Sequence, residues 1–191
     1  MKQTPHKQGP AMSEMKTVTR YPASMRRLHW VIFGLVLIAY VLGNIFDLFP
    51  RRSPGRINVL GAHYLVGISV LLLTLPRFWL RKQHGTPPIV PPLDRWSNLL
   101  AKLTHFAIYA FLLIQPLLGI ITLQIGGKPI TLFGVTVLPS FVTTPDRDLG
   151  HWFEDIHVTV AEVFYWVIGL HILAALWHHF GRRDNTLKRM L

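Results

Sequence analysis

The chain contains no cysteine. That absence excludes disulfides, thiolate-bound zinc, iron–sulfur clusters and c-type haem attachment. Acidic residues are scarce as well, with 9 Asp+Glu against 20 Lys+Arg in 191 residues. Residues 1–27 are polar and basic, with no apolar centre and no small-residue cleavage motif, so they do not read as a secretory signal; they read as a cytoplasmic tail. What the chain has in excess is apolar residues, half of the total, and histidine, of which there are 10. Histidine is thus the main candidate for any metal ligation. The basic balance would point to nucleic acid in a soluble protein. Here the cations cluster at the ends of long apolar runs, so they read as membrane-flanking charge and no nucleic-acid partner is expected.

Four such runs are long enough to cross a bilayer: 28–49, 59–80, 99–123 and 156–180. Proline and glycine punctuate the connections, in FPRRSPGR, in HGTPPIVPPLDRW and in the loop 125–155, whose ITLFGVTVL run has β character and is expected to fold over one face of the bundle. Pro116 is expected to kink the third span. Spans must be helical, because lipid offers backbone groups no hydrogen-bond partner. The expectation is an all-α integral membrane protein. Residues 28–180 form one four-helix transmembrane bundle, between a tail at 1–27 and a short basic tail at 181–191. All Lys and Arg except Arg51, Arg52, Arg56, Lys128 and Arg147 fall on one side of this topology, which puts both termini in the cytoplasm.

The histidine pattern carries the chemistry. His157 and His171 stand fourteen residues apart in HVTVAEVFYWVIGLH. At 3.6 residues per turn this leaves them about 40° apart around one helix and about 21 Å apart along it. His29 opens the first span near the cytoplasm, and His63 opens the second on the outer side. Topology therefore pairs His63 with His157 in an outer layer and His29 with His171 in an inner one. Each layer offers two imidazoles from different helices, which is what a six-coordinate haem b needs, so the cofactor expectation is two haems b. Gly34, Gly67 and Gly169 lie close to these histidines along the chain. His105, near the cytoplasmic end of the third span, is a rival to His29 on this reading.

With those residues in place the chain resembles the bacterial cytochrome b-561 family of small di-haem, quinone-linked membrane proteins. The resemblance runs from about residue 26 to 191. It is carried by RLHW, AHYLVGIS, THFAIYAFLLIQPLLG, IGLH and the ending HHFGRRDNTLKRM. It implies His29, His63, His157 and His171 as the axial ligands, in the pairs given above, and so leaves His105 out. It also implies residence in the bacterial inner membrane and electron flow between a periplasmic reductant, a small molecule or a protein, and membrane ubiquinone. One family member resembles a superoxide oxidase, which makes superoxide a candidate donor.

Further residues follow from that chemistry. Quinone reduction needs protons, and His178 near the cytoplasmic face is a candidate donor, with interfacial snorkelling as its alternative. Glu162 is the one carboxylate well inside a span; it must be paired, protonated or functional. Arg77 is a candidate contact for a haem propionate or the quinone. The five outer cations would steer an anion toward the outer haem. Two rival functions remain at this stage: a haem b membrane anchor of a larger oxidoreductase, and a haem-free transporter or scaffold using histidines for a divalent metal.

Overall fold

In the computed structural model, the structure describes residues 20–191. The first nineteen residues of the N-terminal tail, His6 among them, lie outside the described residues. Four long helices dominate: α1 (Ala23–Ile45), α2 (Pro54–His84), α3 (Arg95–Ile125) and α4 (Arg147–Phe180). Each is long and apolar enough to cross a membrane. A 3₁₀ turn, Phe46–Leu48, ends α1, and a two-stranded antiparallel hairpin, β1 (Ile130–Leu132) with β2 (Val135–Leu138), lies between α3 and α4.

Every helix begins before the apolar segment that marks it. α1 begins at Ala23 rather than Leu28, so part of the expected N-terminal tail is helical. α2 begins at Pro54, α3 at Arg95 and α4 at Arg147. For α2, α3 and α4 the cause is the position of the caps. The Ser53 side chain accepts from the Arg56 amide with proline at the first helical position, Asp94 accepts from the Trp96 and Ser97 amides, and Asp146 accepts from the Leu149 amide. These capping residues lie in the polar flanks, several residues outside the hydrophobic stretches. As a result His63 and His157 sit two to three turns inside their helices instead of opening them. Both internal prolines, Pro76 and Pro116, lie within continuous helix.

α1 packs along α2, α3 along α4, and α2 along α3. Across the remaining side, α1 meets α4 through tyrosines: Tyr40 donates to the Ala161 carbonyl at 2.8 Å, and its ring lies 4.3 Å from that of Tyr165. The buried apolar centre is small, formed by Ile32, Val36, Val70, Phe111 and Leu112, with Phe164 stacked on Phe111 at 4.1 Å and 13°. Large apolar side chains instead point outward, Trp166 at 77% and Leu170 at 64% exposure among them. In water this would be an aggregating surface; in lipid it is the expected exterior.

The two ends of the bundle differ. At one, the hairpin folds onto α2 as expected. Ile130 is buried there, and a side chain at Gly61 would stand 3.1 Å from the Phe133 amide nitrogen. At the other, residues 181–191 do not hang free as a tail. They form a clasp. The Tyr21 amide donates to the Arg189 carbonyl, Trp30 Nε1 donates to the Met190 carbonyl at 3.0 Å, and Asn185 bonds the backbone of Val90 and Pro88. The buried Arg189 guanidinium reaches the Pro87 carbonyl. The rigid proline connection between α2 and α3 thus serves as the anvil for the C-terminal segment.

Candidate cofactor sites

At the hairpin end, α2 and α4 turn His63 and His157 toward each other. Their ring centroids are 6.3 Å apart with planes at 80°. A metal–imidazole bond is about 2 Å, so two rings bound through nitrogen on opposite sides of one ion place their centroids about 6 Å apart, and the observed separation matches. Both rings are held from behind. His63 Nδ1 lies 3.0 Å from the Ala39 carbonyl oxygen and His157 Nδ1 lies 3.1 Å from that of Gln115. Donation from Nδ1–H to a carbonyl fixes the tautomer and leaves Nε2 as the free electron pair, the usual state of a ligating histidine.

The two seats are built alike. One turn beyond Ala39 on α1 is Gly43, where a Cβ would stand 3.4 Å from His63 Cε1; one turn beyond Gln115 on α3 is Gly119, where it would stand 3.3 Å from His157 Cε1. Around the rings lies a cavity of about 540 Å³, lined by Val36, Tyr40, Gly67, Phe111 and Tyr165 as well as both histidines. The Gly67 position faces open space. Arg56, Lys128 and Glu154 line the same cavity. Arg56 is already engaged by Asp47 at 2.9 Å. A flat apolar macrocycle with acidic substituents fits this chamber: apolar walls, two opposed imidazoles, and cations among the lining groups.

At the terminal end His171 meets His105, and His29 stands farther off at the same level. The His171 ring lies 5.5 Å from that of His105, with planes at 82°. His105 Nδ1 is held by the Ala101 carbonyl at 2.6 Å. His29 stands within electrostatic range of both, and its ring touches Trp30 edge-on at 5.2 Å. Gly34 and Gly169 face open space. His29 and His171 therefore share one region, as topology demands, but the ring in contact with His171 is that of His105.

Arg77 is buried and donates to the Met25 carbonyl at 3.0 Å, one turn before His29 on α1, within electrostatic range of His29 and His171. His178 is not a simple snorkelling side chain. Its Nδ1 lies 2.6 Å from an oxygen of the buried Asp184 carboxylate, which Arg182 also approaches at 3.2 Å. Burial pushes the Asp184 carboxyl up, but hydrogen bonds from His178 and Thr186 outweigh it and hold the group below the usual carboxylate range. Glu162 lines the cavity while remaining exposed, and no described residue pairs with it. Of the five outer cations, Arg56 and Lys128 reach the cavity, whereas Arg51, Arg52 and Arg147 do not line it.

Comparison with known proteins settles the ancestry. The pattern of the prokaryotic cytochrome b561 family matches residues 20–191. The chain belongs to that family. It is 34% identical to cytochrome b561 homolog 1 of Escherichia coli over 174 residues, covering 91% of this chain and 98% of the relative. It is 33% identical to the probable superoxide oxidase CybB of Yersinia pestis over 172 residues, covering 90% and 96%. It is 29% identical to cytochrome b562 of Cereibacter sphaeroides over 169 residues, covering 86% and 90%. The protein is accordingly a haem b electron-transfer protein of the bacterial inner membrane, crossing it several times.

Proposed function

We propose that this chain holds two haems b and passes electrons from a periplasmic reductant, superoxide being the first candidate, to membrane ubiquinone. The observation that carries the reading is the opposed pair His63 and His157, set at bis-imidazole separation in an apolar chamber with both Nδ1 atoms tied back. His29 and His171 would hold the second haem at the terminal end. Haem held by these residues would supply one-electron transfer chemistry.

The remaining roles fall to the chain's own groups. Cations beside the chamber, Lys128 above all since Arg56 is paired, raise the local concentration of an anionic donor. Arg77 offers a buried cation to an anionic group near His29 and His171. His178, oriented by Asp184, is placed to hand a proton to quinone from the end that carries both termini, which this reading puts in the cytoplasm. The likeness to a probable superoxide oxidase supports superoxide as donor, and the basic flanks of the terminal end support the orientation.

The test is in two steps. Pyridine haemochrome analysis of the purified protein is expected to give two haems b per chain. Stopped-flow mixing with superoxide in the presence of ubiquinone is then expected to show one quinol formed for every two superoxides consumed, with two protons taken up and dioxygen released. Haem reduction that proceeds only with a co-purifying soluble dehydrogenase would favour the membrane-anchor reading instead.

A further inference from the structure

A second recess lies outside the histidine layers, at the terminal end of α1. It is a groove of about 430 Å³ whose walls are Ala23, Arg26, Arg27 and Trp30 on one side and Met190 and Leu191 on the other, with Val31 continuing it along the helix. We propose that this groove binds the phosphate headgroup of an anionic phospholipid, with an acyl chain running along Trp30 and Val31.

Charge is the first argument. Two consecutive arginines stand in the first turns of α1, and among the described residues no carboxylate pairs with either. Arg26 Nε has no hydrogen-bond partner among the described residues. Guanidinium geometry suits phosphate, which accepts paired N–H bonds. The first turn of α1 adds to this. Its cap is Pro22, without a side-chain hydrogen bond, and the turn contains no acidic residue, so its free amides keep their partial positive charge.

Location is the second argument. Trp30 and Val31 are 43% and 50% exposed on the lipid-facing side of α1, immediately above the arginines. An amphipathic tryptophan at that height marks the headgroup level. The ring is also fixed, because Trp30 Nε1 donates to the Met190 carbonyl. The C-terminal clasp thereby makes the groove's far wall, and the site has one cationic end and one apolar end, the polarity of a phospholipid. Neutral lipid offers the same chain but no net charge, and free phosphate offers the charge but no chain.

The experiment is native mass spectrometry of the purified full-length haem protein, released from detergent after addition of phosphatidylglycerol, phosphatidylcholine or inorganic phosphate. One tightly retained phosphatidylglycerol is expected, with retention weakened about tenfold or more in the Arg26→Gln/Arg27→Gln variant. The Arg95→Gln/Lys102→Gln variant makes the same charge change at the same end away from the groove and is expected to retain the lipid. Equal retention of phosphatidylcholine, displacement of lipid by inorganic phosphate alone, or equal loss in the two variants would each overturn the proposal. Haem content, measured on the same samples, is expected to be unchanged, so the result is independent of the redox reading.

Discussion

Gln115 and His157 bind each other twice across the α3–α4 interface. His157 Nδ1 lies 3.1 Å from the Gln115 carbonyl oxygen, and the Gln115 side-chain amide donates back to the His157 carbonyl at 2.7 Å. The exchange ties ring and backbone of one candidate ligand to a single residue forty-two positions away. Gln115→Leu keeps the carbonyl that orients the ring but loses the returning bond, worth about 1 kcal/mol. The expected outcome is a protein that still binds haem at full stoichiometry and loses it at a lower temperature than the parent. Thermal scans followed in the Soret band measure this; a variant unable to take up haem at all would show that the glutamine has a larger role.

Gly119 makes a sharper case. A Cβ there would stand 3.3 Å from His157 Cε1, closer than ordinary packing, and valine adds two further carbons to that crowded place. On the proposed two-haem reading, Gly119→Val is expected to evict the haem at His157 while sparing the one at the terminal end, so haem content drops from two per chain toward one. Gly43→Val is expected to do the same through His63. Gly34→Ala, which meets nothing within 4 Å, serves as the lenient comparison, since one methyl enters open space there.

The ligand assignment makes a separate prediction. His157→Ala and His171→Ala are each expected to lose one haem, and not the same one. His105→Ala tests the triangle at the terminal end. If His29 and His171 are the pair, the variant keeps two haems with a perturbed spectrum for one of them. If His105 takes the place of His29, it loses a haem and His29→Ala does not. Pyridine haemochrome counting with low-temperature spectra of the reduced α-bands separates these outcomes.

The bundle and its two histidine levels were legible in the sequence because both depend on one-dimensional regularities. Apolar runs reveal spans through length alone, and a fourteen-residue interval reports face and depth through helix geometry alone. What escaped was everything decided by which helices become neighbours. Ala39 with Gly43 and Gln115 with Gly119 form matching seats, each a carbonyl followed one turn later by a glycine, yet nothing in α1 or α3 names the ring that will sit there. The only available signal was a glycine in each span that no turn required. Helix ends were misjudged for a simpler reason: hydropathy registers the lipid-crossing part, while Ser53, Asp94 and Asp146 set the ends from polar flanks. The C-terminal clasp was read as a tail because its composition is basic, although Asp184 and Arg189 are buried by partners ninety or more residues distant or across a turn.

That clasp should respond to acid in a definite direction. Asp184 is held below the usual carboxylate range in the folded protein, by hydrogen bonds from His178 and Thr186 that outweigh its burial. A depressed carboxylate contributes stability that is fully present above its unfolded value, about 3.9, and is lost as pH falls through the lower folded value. From neutrality down to about pH 4 the clasp is therefore expected to hold; acidification below that should progressively free residues 181–191 and expose Trp30, whose indole donates to Met190. Asp184→Asn removes the charge at every pH and leaves His178 and Arg182 facing a neutral amide. Limited proteolysis of the C-terminal segment is the direct measurement. The parent is expected to become sensitive only in acid and the variant to be sensitive at neutral pH, with equal haem content in the two at neutral pH. A parent cut no faster at about pH 2 than at pH 7, after allowance for the protease's own pH dependence, would mean that Asp184 does not anchor the segment.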